Sequence, residues 1–309
     1  MFTEDYRASK ILYNFLRSNS FKGKFLLPAN VCEVIPLIFH YAKVDFDFMD
    51  IQLDNLCIDQ KEVLNHLDEY IGILFVRTYG TEENFESFFQ QIKDKKPSFI
   101  IIDDSCLCLP DINYTLSPYV DLKLYSVGYA KQVDMQTGAF GFMNDSYRYQ
   151  EINAKFIESD YDKYKSELFS ALFSINLFVP NEYHFLQNIE YKLNNKNLSD
   201  KIQLVTEHKK RLNQIYQREL PSNIQLMKEF QNWRFNILVD ESVKSVVLKN
   251  LFKEGLFASS HYISLSKVWK NKECPNATSL NKKIINLFND FYYTEEQAIS
   301  ACKIINENL

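Results

Sequence analysis

The amino-acid sequence predicts an α/β protein with a mostly parallel central sheet, followed by a small C-terminal α+β domain. Short apolar runs alternate with amphipathic stretches of helical length through the first 150 residues, which is the pattern of strands joined by helical crossovers. One run, residues 99–102, is apolar at every position, as in strands that are covered on both faces. After residue 222 the order of the elements changes, which indicates a second, smaller unit.

The predicted elements of the first half follow one another regularly. The apolar spacing predicts helices at 7–18, 31–42, 60–69 and 83–94, and strands at 25–27, 44–48, 71–76, 99–102, 121–127 and 138–143. Ligands of such sheets bind beyond the carboxyl ends of the strands. Asp103 and Asp104 directly follow the run at 99–102, so they lie where a ligand is expected.

The rest of the chain is predicted to be helical at first and then mixed. Residues 148–217 are predicted to be largely helical, with a break at Val179-Pro180-Asn181. A strand at 234–239, a helix at 242–254 ended by Gly255, a strand at 256–261 and two helices follow, the last with a capping box that begins at Thr294. The prediction is a large α/β domain at 1–221 and a small α+β domain at 222–309.

Composition and charge argue against several functions. The net charge is −5, the calculated pI is about 5.7, and no basic stripe dominates, so no nucleic acid partner is expected. Six cysteines occur without Cys-x-x-Cys or paired zinc spacing, and five histidines are scattered, so we expect no metal site and reduced thiols. No apolar run approaches the roughly 20 residues of a spanning helix, and the acidic N-terminus does not resemble a signal peptide. A soluble, cytoplasmic protein is the expectation.

Lys131 and Asp104 are the candidate chemical groups. Each follows an apolar run, Lys131 at the end of Ser126-Val127-Gly128-Tyr129-Ala130-Lys131. A buried lysine has a lowered pKa and can form an imine with an aldehyde, and a carboxylate can keep a pyridine nitrogen protonated. The alternative interpretations are a solvated lysine and an aspartate that meets solvent or caps a helix. If both side chains face one pocket, they suit pyridoxal 5′-phosphate (PLP).

A phosphate group would need donors near these residues. The predicted helix start at Arg7-Ala8-Ser9 offers free N–H groups and the positive end of a helix dipole. Arg7 could add a bidentate contact, and Ser126 could add a hydroxyl. We expect these residues to hold the phosphate.

Six segments of the chain match the motifs of one enzyme family. They are Leu27-Pro28-Ala29, Val76-Arg77-Thr78-Tyr79-Gly80, Ile101-Ile102-Asp103-Asp104-Ser105-Cys106, Ser126 to Lys131, Phe257-Ala258-Ser259-Ser260-His261-Tyr262 and residues 274–305. Together they resemble the DegT/DnrJ/EryC1/StrS aminotransferases, PLP enzymes of the fold-type-I (aspartate aminotransferase) fold that act mostly on nucleotide-linked keto-sugars. The resemblance runs from about residue 5 to the C-terminus, with a poorly matching stretch from roughly 145 to 205.

The resemblance implies a set of site residues and a reaction. Lys131 would carry the cofactor, and the cofactor contacts would be Asp104 at the ring nitrogen, Ser126, Arg7 and Ala8 at the phosphate, and Asn30 and Cys32 after the Pro-Ala turn. The implied reaction moves an amino group, with glutamate as donor, to a keto-sugar nucleotide for surface glycan synthesis. Relatives with histidine in place of this lysine are dehydratases. The family also works as homodimers with sites at the subunit boundary.

The chain departs from the family pattern at several positions. Tyr6-Arg7 stands where the family has Gly followed by Thr or Ser, Cys32 replaces the stacking aromatic, and Leu107 replaces Gln or His. The N-terminal arm common in the family is expected to be absent. These departures leave two alternatives: amino transfer to a small acyclic keto or aldehyde phosphate, and a non-catalytic binding protein on the same fold.

Overall fold

A seven-stranded sheet forms the centre of the larger part of the molecule. The computed structural model describes residues 1–174 and 176–309. In chain order the strands are β1 (Phe2–Asp5), β2 (Lys24–Pro28), β3 (Asp45–Met49), β4 (Gly72–Val76), β5 (Ile100–Asp104), β6 (Leu122–Ser126) and β7 (Ala139–Met143). Across the sheet the order is β1-β7-β6-β5-β4-β2-β3. The five strands β2 to β6 are parallel to one another. At one edge of the sheet, β7 pairs antiparallel with β6, and β1 pairs antiparallel with β7.

Helices cover both faces of this sheet, as the fully apolar strands predict. They are α1 (Ala8–Asn19), α2 (Val34–Ala42), α3 (Gln60–Asn65) and α4 (Glu86–Lys95). Because side chains alternate along a strand, Leu27, Leu74 and Ile102 pack in a core with Ile11 and Phe15 of α1. Their neighbours form a second core on the opposite face, which comprises Leu26, Ile73, Phe75 and Ile101 together with Phe88 and Phe89 of α4.

The middle of the chain contains two helices, α5 (Asp160–Ser174) and α6 (Asn195–Glu219). Residues 148–159 and 176–194 form no helix or strand, so the prediction of a largely helical 148–217 is wrong for these two stretches. Phe178, Tyr183 and Leu186 are nevertheless buried, in the same core as α1 and α2. Residues 176–194 are therefore anchored by separate buried side chains, whose spacing in the sequence is not that of a helix.

The C-terminal part contains a three-stranded antiparallel sheet with the order β8-β10-β9. Its strands are β8 (Phe235–Leu238), β9 (Ala258–Ser259) and β10 (Ile284–Leu287), and its helices are α7 (Glu241–Lys253), α8 (Ser266–Lys270), α9 (Pro275–Lys283) and α10 (Glu295–Asn306). Leu212 and Tyr216 of α6 pack into the core of this part. The division of the chain at 221 and 222 stays a prediction.

Two local predictions of this part are met in detail. Thr294 Oγ1 accepts a hydrogen bond from the N–H of Gln297, and the Gln297 side chain accepts one from the N–H of Thr294, which is the capping box. Gly255 has a φ of 70°, the left-handed conformation that glycine tolerates best. The strands β1 and β10 were not predicted. No helix among the described residues is both long and apolar enough to cross a membrane.

Candidate functional site

A cavity of about 830 Å³ lies beyond the carboxyl ends of β5 and β6. Asp104 is the last residue of β5 and Ser126 is the last residue of β6. These neighbouring strands are parallel, so both side chains reach the same edge of the sheet. The lining includes six of the predicted site residues, which are Arg7, Ala8, Cys32, Asp104, Ser126 and Lys131.

Lys131 lies on a tight loop that follows β6. Asp134 holds this loop, because its carboxylate accepts hydrogen bonds from the N–H of Ala130 at 2.8 Å and of Gln136 at 2.7 Å. Ala130 has a φ of 58°, a left-handed conformation that costs a non-glycine residue about 1–2 kcal/mol. The loop therefore directs Lys131 into the cavity at an energetic cost that these hydrogen bonds offset.

Cys106 lies close enough to both candidate groups for each to affect its titration. Burial raises the pKa of its thiol well above the ordinary value, and the carboxylate of Asp104 raises that pKa further. The ammonium of Lys131 acts in the opposite direction on the same thiol. Both Lys131 and Asp104 also line the cavity, so the amine and the carboxylate predicted from the sequence share one environment.

The two adjacent aspartates of β5 have different surroundings, because consecutive strand residues face opposite sides of the sheet. Asp103 is buried and pairs with Arg77 at 2.9 Å and with Lys123 at 2.6 Å. Asp104 lines the cavity, and its Oδ1 accepts a hydrogen bond from the N–H of Cys106 at 3.0 Å. Only Asp104 is therefore placed to meet a ligand in the cavity.

Hydrogen-bond donors are concentrated at one end of the cavity, which is formed by the N-terminus of α1. Arg7 is the N-cap of α1 and its side chain makes no capping hydrogen bond, so the first N–H groups of the helix need other partners. Arg7 Nη1 lies 3.1 Å, and Ser126 Oγ 3.5 Å, from the point that a β-carbon on Gly128 would occupy. A guanidinium, a hydroxyl and a helix N-terminus thus converge, which suits a phosphate.

Of the two residues predicted after the Pro-Ala turn, only Cys32 reaches the cavity. Burial raises the pKa of its thiol to about 12, so the thiol is neutral at physiological pH. Asn30 is absent from the lining that the described residues form. Its side-chain amide instead donates to the carbonyl of Leu56 at 3.2 Å, which connects the turn after β2 to the loop after β3. The structure thus does not bring Asn30 to this cavity, and its contact with the cofactor stays a prediction.

One wall of the cavity comes from a segment that the sequence did not place there. Phe156, Tyr161 and Phe185 belong to this wall, and the rings of Tyr161 and Phe185 stack with centroids 5.8 Å apart. Tyr164 anchors the segment, since its hydroxyl donates to the carbonyl of Glu33 at 2.5 Å. The high aromatic content of residues 156–185 was a signal, but the wall combines α5 with segments on both sides whose described residues form no helix or strand, so the sequence did not show that these rings meet.

The fold is that of the fold-type-I PLP transferases, as predicted. No protein-family model and no curated protein sequence matches the chain, but solved structures match it over nearly its whole length. A DegT DnrJ EryC1 StrS aminotransferase from Brucella abortus is 14% identical, with a TM-score of 0.69, and the alignment covers 99% of this chain and 85% of that one. These values show a shared fold.

Two further structures show the range of activities on this fold. Helicobacter pylori PseC, an aminotransferase involved in the biosynthesis of pseudoaminic acid, is 16% identical, with a TM-score of 0.71 and coverage of 99% and 86%. The GDP-4-keto-6-deoxy-D-mannose-3-dehydratase of E. coli, solved with bound hydrated PLP, is 12% identical, with a TM-score of 0.68 and coverage of 98% and 87%. The fold is thus compatible with both amino transfer and dehydration.

Proposed function

We propose that the protein is a PLP-dependent aminotransferase that acts on a keto-sugar nucleotide, with glutamate as the amino donor. The observation that carries this proposal is that Lys131 and Asp104 line one cavity whose other end holds Arg7, Ser126 and the start of α1. The fold shared with PLP-dependent aminotransferases supports it.

The cavity residues suit the cofactor group by group. Lys131 offers the primary amine that attaches an aldehyde, and Asp104 offers a carboxylate for the ring nitrogen. Arg7, Ser126 and the free N–H groups of α1 offer charge and donors for the phosphate. Cys32 adds a small, neutral contact. Each of these residues can thus be matched to one group of the cofactor.

The residues of the chain then have distinct tasks. PLP, when bound, supplies an electron-withdrawing ring that stabilises negative charge at a carbon next to the amino group. Asp104 keeps the ring nitrogen protonated. The Nζ of Lys131, once released from the cofactor, takes a proton from that carbon of the amino donor. It then gives a proton to the carbon that was the aldehyde carbon of the cofactor. Arg7 and Ser126 fix the phosphate, so that the reacting atoms stay within reach of Nζ.

The choice of amino transfer over dehydration rests on the residue at position 131. By the resemblance described above, relatives with a histidine at this position are dehydratases, whereas this chain has Lys131. A homodimer, a cytoplasmic location and a role in surface glycan synthesis complete the proposal. Light scattering of the purified protein tests the dimer, which should have twice the 36.5 kDa mass of one chain.

Covalent attachment of the cofactor tests the function directly. The purified protein incubated with PLP should be yellow, and borohydride should fix one cofactor on Lys131, as mass spectrometry of the peptides would show. The Lys131→Ala variant should fold with an unchanged circular dichroism spectrum but neither retain borohydride-fixed cofactor nor transfer amino groups. A wild-type protein that stays colourless with PLP would instead support the non-catalytic alternative.

A further inference from the structure

A second chamber, of about 640 Å³, opens on the C-terminal side of Lys131. It shares Tyr129, Lys131 and Gln136 with the cavity described above, so a molecule bound there can reach the amine. Its remaining wall comes mainly from the first two thirds of α6, from the residues directly before β8, from β9 and its flanking residues, and from the segment between β10 and α10. None of the cofactor contacts proposed above requires this chamber beyond Lys131.

Arg234 is the most unusual residue of this wall. Its side chain is only 2% exposed, and its Nε has no hydrogen-bond partner among the described residues. The guanidinium carbon lies 3.6 Å from the centroid of the Phe288 ring, and Nη1 forms an ion pair with Asp290. A buried donor without a partner destabilises the folded protein, and a ligand in the chamber that accepts its hydrogen bond would remove this penalty.

The charges around Arg234 are also unbalanced. Lys209 is buried and shares the same carboxylate, with Nζ 3.8 Å from Asp290. Burial lowers the pKa of Lys209 to about 7, even though the amine donates to the carbonyl of Trp233 at 2.8 Å and to Asn289 at 2.7 Å. Asp134, the other carboxylate of the lining, is occupied by the lysine loop. Below about pH 7, where Lys209 carries its proton, the two buried cations Arg234 and Lys209 therefore share the single carboxylate of Asp290.

We propose that this chamber binds an oxyanion of a substrate that reacts at Lys131, and that Arg234 is the residue that recognises it. The identity of the ligand as a substrate rests on the proposed function, whereas binding of an anion by the chamber does not. Two sources share this chemistry: the distal carboxylate of an acidic amino donor, and the phosphate of a nucleotide-linked acceptor. Phe257 and Tyr292, which are 59% and 76% exposed, also line the chamber and could stack on a nucleobase.

Binding of unreactive anions tests the chamber separately from the reaction. Isothermal titration of the purified protein, both without and with added PLP, uses glutarate to represent the donor and uridine diphosphate to represent the acceptor. We expect at least one of them to bind, and Arg234→Gln to weaken that binding at least tenfold. Arg234→Lys should retain part of the affinity, because it keeps the charge. Arg218→Gln, which removes the same charge from the exposed side of α6, should bind as the wild type does.

A second variant, for which stronger binding is expected, keeps the proposal testable even if Arg234→Gln does not fold. Asp290→Asn removes the carboxylate that competes for Arg234, so it should bind the same anion severalfold more tightly. A purely structural role for the pair predicts weaker or unchanged binding instead, and that outcome would overturn the proposal. Equal affinity of the wild type and of folded Arg234→Gln would also overturn it, as would the absence of binding of both anions to the wild type.

The two proposals fail in distinguishable ways. A protein that binds the anion through Arg234 but shows no borohydride-fixed cofactor on Lys131 would keep the anion site and lose the aminotransferase function. A protein that attaches PLP at Lys131 but binds neither anion would keep the function and lose the anion site. Binding of glutarate alone would assign the chamber to the donor, and binding of uridine diphosphate alone would assign it to the acceptor.

Discussion

The indole N–H of Trp233 donates a 2.7 Å hydrogen bond to the carbonyl oxygen of Ala130, the residue directly before Lys131. Trp233 belongs to the C-terminal part of the chain, and its ring is nearly parallel to the rings of Tyr79 and Tyr262, at 6° and 14°. One hydrogen bond thus connects the segment directly before β8 to the loop that carries the proposed nucleophile. The left-handed conformation of Ala130 is held partly by this contact.

Trp233→Phe should remove this hydrogen bond while largely keeping the stacking. A net hydrogen bond is worth about 1 kcal/mol, so we expect a loss of roughly that size in the free energy of unfolding, measured by urea denaturation followed by circular dichroism. Trp269→Phe is the matched control, because its Nε1 is buried without a partner among the described residues and should cost less to lose. Equal losses in the two variants would contradict the role given to Trp233.

The two aspartates of β5 should respond differently to the same substitution. The pKa of the Asp103 carboxyl is lowered: its burial would raise it, but Lys123 and Arg77 outweigh that effect. Asp103→Asn would leave two cations without their anion and should lower the free energy of unfolding by about 3–5 kcal/mol. Asp104→Asn should unfold like the wild type but lose most aminotransferase activity. Denaturation curves and activity assays on both variants measure this contrast, and a reversal would disprove the assignment of the two roles.

Arg7→Gln should weaken the binding of PLP because it removes the charged donor beside Ser126. A hydrogen bond to a charged group contributes about 1.5–3 kcal/mol, and 1.4 kcal/mol corresponds to a factor of ten, so the loss should be at least about tenfold. Absorbance titration measures the affinity. Pyridoxal, which lacks the phosphate, is the control ligand, and its affinity should be the same for both proteins. An equal loss with pyridoxal would mean that Arg7 acts on the fold of the cavity.

Asp5 should make stability fall as pH rises through the mildly acidic range. Burial raises the pKa of Asp5 to about 6, from an ordinary 3.8. Between these values the folded state holds a proton that the unfolded state has lost, so the stability due to Asp5 is present below about pH 4 and is lost as pH rises through 6. Asp5→Asn should remove this component. The melting temperatures of both proteins from pH 4 to 7 measure it, and parallel profiles would refute the prediction.

The parallel sheet could be predicted because short apolar runs alternate with helical stretches, and because the central strands β4 and β5, buried on both faces, are apolar apart from the two aspartates that end β5. A general rule of sheet topology placed Asp104 at the ligand-binding edge, whereas the expectation that Ser126 and Lys131 join it there came from the family resemblance. Short-range signals were equally informative, as the capping box at Thr294 shows. Each of these features depends on residues that are close in sequence or on a general rule of sheet topology.

Features that depend on contacts between distant segments were missed. The sequence around Asn30 does not reveal that its side chain bonds to Leu56. The wall that contains Tyr161 joins the start of α5 to Phe156 and Phe185, which lie in described segments without helix or strand, so no single period in the sequence marks it. The pairing of Arg234 with Asp290 joins two residues that are separated by the whole of α7, α8 and α9. Each residue alone resembles an ordinary surface charge in the sequence, and only their burial together makes them notable.

The long helix α6 extends from one core to the other. Leu198, near its start, packs with Tyr125 and Phe140 of the large sheet, whereas Tyr216, near its end, packs on Phe235 of the small sheet with ring centroids 5.0 Å apart. The helix has 25 residues, a rod of about 37 Å at 1.5 Å per residue. One continuous helix therefore connects the two cores. Any movement of the small sheet toward a bound substrate must tilt or bend α6.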